Sequence, residues 1–320
     1  MTQTKLDNFF TIFPNTNNNS KKCFIYDPDE FRAFFDNIPD SNRDIFISNK
    51  LDIKLYYRVP LKTTNFEFPI INSAYRVPLL KSNLQKAIRR GKTEVAISTA
   101  LFLLQSNSIE FLRRLPIIFI EDVCLMDSIS IPIWLIMCDK EYKLTSIDTY
   151  ILLHIVKSLC ECKLYYDHRK KFMKPFELTH ETLKDYSHKD ELLSLYYRSK
   201  YGGMKGDIEM LVNSIYYYIG NPLLIGRSSI NINYEFQISR NLVILPEAID
   251  FHPFPYIINI IIKNTNLNYK DIKSYIWYTE SCVNFRKSYT IRRSNKYITD
   301  DVWKKIKPEL EKVRKIIINH

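Results

Sequence analysis

Between residues 84 and 127 the apolar positions follow helical spacing more clearly than anywhere else in the chain. Leu84, Ala87 and Ile88 fall on one face, with Lys86, Arg89 and Arg90 towards the other. Ser82 or Asn83 supplies a helix start, and Gly91 a stop, since glycine takes the left-handed conformation at little cost. Thr93 and Glu94 reopen a helix. Its residues Val95, Ala96, Ile97, Ala100, Leu101, Phe102, Leu103 and Leu104 leave almost no polar face. A helix apolar all round is buried in a larger body. Ser106-Asn107-Ser108 predicts a turn, and a third helix carries Phe111, Leu112 and Leu115. Pro116 predicts a kink or a new first turn.

Elsewhere the same patterning predicts a short buried segment over 131–138. A helix follows, capped at Thr145-Ser146 and running to about Cys162, and another is capped by Asp207 and ended by Gly220. Ile230, Ile232, Tyr234, Phe236 and Ile238 alternate with polar residues as a half-buried strand does, and Leu242 to Leu245 returns as its hairpin partner. From Asp300, residues Val302, Trp303, Ile306, Leu310, Val313 and Ile317 form the buried stripe of an amphipathic helix. Nearer the N-terminus, Tyr26 to Glu30 reads as a helix start before Phe31, Phe34 and Phe35. Ile45 to Ile47 and Ile53 to Tyr57 read as strands, in a region broken by Pro39, Pro60, Pro69 and Pro78. The aromatics there suit a core rather than a ligand platform. The expected fold is mainly α (α+β): a central helical bundle, a small β-hairpin and a C-terminal amphipathic helix. The expected division is a flexible tail (1–22), a wrapping arm (23–80), a helical domain (81–165) and a basic C-terminal helical region containing the hairpin (166–320).

Several residues carry a resemblance. Lys86-Ala87-Ile88-Arg89-Arg90-Gly91, the helix through Ala96 and Ala100, Leu112-Arg113-Arg114-Leu115, Glu121-Asp122-Val123 and Asp127 follow one another in a recognisable order. Over roughly 82–130 this resembles the C-terminal helical domain of RarA-type and Werner-helicase-interacting AAA+ ATPases, relatives of the clamp-loader collar. The resemblance implies a helical packing and assembly region, with self-association through those helices. It does not imply ATP cleavage. The apolar run before Glu121-Asp122 is similar to a Walker B strand, yet nothing upstream matches Gly-x-x-x-x-Gly-Lys-Ser/Thr, the loop that cradles phosphate.

Composition adds a direction. The chain of 320 residues carries a net charge of +11, which favours polyanionic partners, nucleic acid above all. Eleven cations and four anions lie between Arg286 and His320, so most of the excess sits in the last 35 residues. Arg286, Lys287, Arg292, Arg293, Lys296, Lys304 and Lys305 are the candidate phosphate contacts. Tyr275, Trp277, Tyr278, Phe285 and Tyr289 lie among and beside them, as stacking platforms would. Heavy use of Asn, Lys, Ile and Tyr suggests an AT-rich genome such as that of a large DNA virus. The six cysteines sit in apolar surroundings, no secretory segment follows Met1, and no apolar run approaches a bilayer span. The expectation is a reduced, intracellular protein without a membrane partner, in a nucleus or a cytoplasmic viral replication factory.

Before the linker Pro14 to Lys22 stands Gln3-Thr4-Lys5-Leu6-Asp7-Asn8-Phe9-Phe10. It fits Gln-x-x-aliphatic-x-x-aromatic-aromatic, the box that binds a sliding clamp of the PCNA type. One turn gathers Leu6, Phe9 and Phe10 into an apolar plug, while Gln3 bonds separately.

Candidate chemistry is sparse. Cys160-x-Cys162 lacks a second pair at zinc spacing, so no metal site and no cofactor are expected. The glycines of Tyr201-Gly202-Gly203-Met204-Lys205-Gly206-Asp207 let backbone approach backbone or a phosphate closely. Asp250 and His252, two apart on a strand, share a side, and with Glu247 they are the best catalytic group. Glu121 and Asp122 are the other acids a nuclease would use. Three functions are therefore in view. The first is a non-catalytic, clamp-binding accessory protein of DNA replication or repair. The second is a clamp-tethered, metal-dependent nuclease using Glu121, Asp122, Asp250 and His252. The third is a nucleic-acid-associated viral assembly protein.

Overall fold

The computed structural model describes residues 22–36, 39, 42–62, 64–71, 75–138, 140–164, 176–281 and 300–318. Among the described residues the chain is mainly helical with one small sheet, as its patterning predicts. The sheet lies near the N-terminus, however, and not at the expected hairpin. Its strands are β1 (Cys23–Asp27), β2 (Arg32–Asp36), β3 (Asp44–Lys50) and β4 (Ile53–Arg58), in the order β2-β1-β4-β3. β1 runs antiparallel to β2 and parallel to β4, and β3 runs antiparallel to β4 with an irregularity between Phe46 and Ser48.

The expected helix start at Tyr26 to Glu30 is thus the end of β1 and a turn. Phe31, Phe34 and Phe35 have helical spacing. Their neighbours decide otherwise, because β1 is apolar throughout most of its length and offers Phe24 to Phe35 and Ile25 to Phe34 across a hairpin. The Phe24 and Phe35 rings stack with centroids 4.0 Å apart. Ile45 to Ile47 and Ile53 to Tyr57 do form strands. Arg58 fixes the β1, β4 and β3 ends together. It donates to Asp44 through Nε at 2.7 Å and through a terminal nitrogen at 2.9 Å, and to Asp27 at 3.2 Å.

Ten helices follow among the described residues: α1 (Val77–Arg89), α2 (Thr93–Asp122), α3 (Ser130–Met137), α4 (Ser146–Glu161), α5 (His180–Leu183), α6 (Lys189–Tyr201), α7 (Lys205–Gly220), α8 (Ile257–Thr265), α9 (Tyr269–Ile276) and α10 (Asp300–Ile318). α1 ends where Gly91 takes φ of +62°. α2 is thirty residues long and continues through Pro116, so no new helix starts there. It breaks locally at Asn107, inside the predicted turn, where Asn107 Oδ1 caps the following turn by accepting from the Glu110 amide at 3.0 Å. By length and composition α2 could cross a bilayer, contrary to the sequence expectation, but most of its apolar stretch is buried inside the protein. The run Ile117 to Ile120 before Glu121-Asp122 is helical, not a strand. α4 opens on a capping box, Thr145 with Asp148, as Thr145-Ser146 predicts. α7 begins earlier than expected, with Met204 rather than Asp207 at its cap.

The alternation at Ile230 to Ile238 forms no ladder. Ile232 and Tyr234 stay exposed, and side chains rather than a second strand meet the backbone. Tyr150 Oη bonds to the carbonyls of Asn231 and Tyr234 at 2.7 and 2.8 Å. Asn83 accepts from the Leu245 amide at 2.9 Å and donates to the Val243 carbonyl at 3.0 Å. Segment 230–245 is an extended strap over α1, α2 and α4.

Two apolar cores result among the described residues. The larger joins the sheet to α1–α4, α6 and α7. The smaller is made by Ile257, Ile258, Ile261, Ile272, Ile276, Ile306, Leu310 and Val313 of α8, α9 and α10, together with Leu79 of α1. α1 therefore faces both: Leu80, Leu84, Ala87 and Ile88 enter the first core and Leu79 the second. Where the two cores meet along its polar face, a groove opens.

Candidate functional site

The groove, about 340 Å³, is built from α1 (Lys81, Ser82, Gln85, Lys86, Arg89), the second half of α2 (Arg114, Glu121) and the start of α7 (Met204, Asp207). The C-terminal lobe adds His252, Trp277 and Ser281. Helical spacing explains the α1 contribution. Positions 82, 85, 86 and 89 recur every three or four residues and form one stripe.

The charged residues of this stripe are mostly buried. Lys86 is 4% and Arg89 2% exposed, which requires partners, because an uncompensated buried charge is costly. Lys86 Nζ donates to Asp250 Oδ2 at 2.9 Å and to Ser82 Oγ at 3.0 Å. Arg89 pairs with Asp122 and donates to the Ser281 carbonyl. Gln85 bridges the neighbouring acids, reaching Glu121 at 2.8 Å and Asp122 at 2.9 Å. Arg90 pairs with Glu247 at 2.9 Å. The run Lys86 to Arg90 thus pins the C-terminal lobe to α1.

Asp250 is the hub. Its Oδ2 accepts from Lys86 and, at 2.6 Å, from Ser281 Oγ. Its Oδ1 accepts from the His252 amide and lies 2.8 Å from His252 Nδ1. Burial alone would raise this carboxyl. The Lys86 charge and the bonds from His252 and Ser281 outweigh burial and hold it below the usual carboxylate range. Burial lowers Lys86 as well, against the pull of Asp250. With four donors converging on Asp250, the state we assign is the ionised pair. Glu121 moves the other way: burial, then the adjacent Asp122 charge, raises its carboxyl.

The sequence-predicted acids are therefore brought together only in part. Glu121 and His252 line the same groove. Asp122 and Asp250 lie behind its wall, both fully buried, with their oxygens engaged. Asp250 and His252 sit in a turn after a short 3-10 helix, not on a strand, and share a bond rather than a strand face. Glu247 faces Arg90 instead of joining them. Ser281 bonds to Asp250, so the bonds among the described residues do not form a relay from serine through histidine to acid. Among the described residues no cluster of His, Cys, Asp and Glu has the form of a metal site.

Of the basic candidates, Arg286, Lys287, Arg292, Arg293 and Lys296 lie outside the described residues, as do Phe285, Tyr289 and the box residues Gln3, Leu6, Phe9 and Phe10. Lys304 and Lys305 are on the exposed face of α10. Tyr275 is buried in the smaller core and offers no stacking face, whereas Trp277 lines the groove. Sequence reading missed Lys81, Arg113, Arg114 and Arg198 as a group. Beyond Met204 and Asp207 the groove continues into a second cavity of about 210 Å³, lined by all four. The glycine run at 202–203 was their one local signal. No protein-family model, curated protein or solved structure matches the chain. The functional reading therefore rests on these residues.

Proposed function

We propose that the chain is a clamp-tethered accessory protein of DNA replication or repair that holds DNA on basic surface and does not cut it. The observation that carries this reading is an imbalance in the groove. Asp122 and Asp250, the acids a nuclease would need, are each closed by a cation. Arg114 and Arg198, by contrast, form no ion pair among the described residues; only the more distant charges of Glu110 and Glu121 reach Arg114, and that of Asp207 reaches Arg198. Surplus cations in a groove suit a phosphate backbone. Gln3, Leu6, Phe9 and Phe10 supply the tether, and Arg286, Lys287, Arg292, Arg293, Lys296, Lys304 and Lys305 the remaining basic surface. An intracellular setting, nuclear or in a viral replication factory, follows from this reading.

Calorimetric titration into a eukaryotic-type sliding clamp tests it. The intact chain binds, and the Phe9→Ala/Phe10→Ala form does not while keeping its melting temperature. Binding by neither form, or a lowered melting temperature in the variant, removes the tether from the reading.

Glu121 and His252 on one groove favour a second reading, a metal-dependent nuclease. Magnesium- or manganese-dependent cleavage that disappears in Glu121→Gln would replace the first reading with this one.

A further inference from the structure

Arg198 is buried with no carboxylate in ion-pair contact among the described residues. It lies in α6, is 2% exposed, and lines the second cavity. Its terminal nitrogens donate to the carbonyls of Gly202 at 2.6 Å and Arg113 at 3.1 Å, and its Nε has no hydrogen-bond partner. Backbone carbonyls orient a guanidinium but do not neutralise it. A buried charge of this kind is stabilised by an anion.

The surroundings fit one. Lys81, Arg113 and Arg114 line the same cavity as Arg198, against Glu110 and Asp207, a surplus of two positive charges. Glu110 is occupied by Lys81 and faces Arg113 at 3.7 Å, and the Asp207 charge acts on Arg198 without forming an ion pair with it. At Gly203, φ of +146° brings bare backbone beside the guanidinium, where a side chain's Cβ would stand 3.8 Å from both terminal nitrogens. α7 opens here as well, and its cap residue Met204 makes no side-chain bond to the first-turn amides.

We infer that this end of the groove is a phosphate-binding subsite, held by Arg198 and Arg114, that takes the terminal phosphate of a DNA strand. The charge argues for a monoester: a terminal phosphate carries close to two negative charges near neutral pH, a backbone diester one. So does the size, because about 210 Å³ is below the ~300 Å³ at which pockets begin to enclose whole small molecules. Such a cavity takes the phosphate and leaves the nucleoside in the groove towards Trp277. The strand end as ligand rests on the DNA reading above; the phosphate site does not.

The test uses the full chain and fluorescence anisotropy with one single-stranded sequence in three forms: 5′-phosphorylated, 3′-phosphorylated, and hydroxyl at both ends. One phosphorylated form binds at least about tenfold tighter than the hydroxyl form, as a charge-assisted contact implies. Arg114→Gln, on the half-buried rim, abolishes that difference, and Arg198→Met does so too if it folds. Equal affinity for all three strands, with no protection of the fold by millimolar inorganic phosphate, overturns the subsite. Protection by inorganic phosphate that Arg114→Gln removes, without preference among strands, keeps the phosphate site and overturns the strand end as its ligand. If no strand binds at all, the DNA reading falls, and the inorganic phosphate measurement alone decides the subsite.

Discussion

Asp250 accepts from Lys86, Ser281 and His252, so its removal leaves a buried ammonium facing polar groups that cannot neutralise it. Breaking a buried pair from one side costs about 3 to 5 kcal/mol. Asp250→Asn is expected to lower stability by that order in a urea titration. The same carboxyl gives a pH signature. Its folded value lies below its unfolded one, so its stabilisation is complete above the ordinary carboxylate range and is lost as pH falls through it. The variant should therefore show a flatter loss of stability below about pH 4. An acid denaturation curve as steep as that of the parent would place the stabilising charge elsewhere.

His154 provides a second, independent titration. It lies 1% exposed in α4 among the rings of Tyr150, Tyr234 and Phe236. Burial first, then the Lys157 charge, pushes it down to about 4 from 6.5. The unfolded chain binds the proton more readily, so stability is lost as pH falls from about 6.5 towards 4. His180, also pushed down to about 4, adds to the loss, while Glu191, raised by burial to about 7, opposes it. His154→Phe should flatten the pH dependence of the urea midpoint between 4 and 6.5 without abolishing it. An unchanged slope would mean His154 is protonated in the fold.

At the scale of elements, most local signals were legible and partners were not, although α1 starts at Val77 with the expected caps Ser82 and Asn83 inside it, and α7 starts ahead of Asp207. Gly91 at the end of α1, the break at Asn107 and the box at Thr145 all follow from neighbours within four residues, where caps and turns are decided. Thr145→Ala should cost about 1 kcal/mol, the usual worth of a lost cap, and somewhat more where Asp148 also holds Tyr26 at 2.8 Å. A double-mutant cycle with Tyr26→Phe measures that excess. The failures share a cause. Ile230 to Ile238 alternates like a strand, but no strand lies beside it, and Tyr150, Ser98 and Asn83 meet the backbone of the strap instead. Phe31, Phe34 and Phe35 have helical spacing, but an apolar β1 claims them. Alternation fixes which side chains share a face; only tertiary structure supplies the neighbour. The groove escaped sequence reading for the same reason, since Lys81, Arg114 and Arg198 lie on three helices far apart in the chain.

For the whole molecule, the excess charge divides between the segment from Arg286 and the groove, and the two make separable predictions. Each phosphate contact contributes about 0.9 to the slope of log affinity against log salt on duplex DNA, and about 0.7 on single strands. Replacing Arg286, Lys287, Arg292, Arg293 and Lys296 by glutamine should flatten the duplex slope by up to about 4.5. Replacing Lys81, Arg113 and Arg114 should flatten it by up to about 3, with the Lys304/Lys305 face left intact. If both regions lie along one DNA, the combined variant loses the sum, and the loss is the same for every sequence, because phosphate contacts carry no base readout. If the groove holds only a strand end, its variant leaves the slope on a long, unbroken circle unchanged and flattens it on short linear DNA. That contrast between circle and linear fragment reports whether the groove reads the path of the backbone or its end. In the groove variant the replaced residues are half-buried or exposed, so the fold stays intact while the charge is removed.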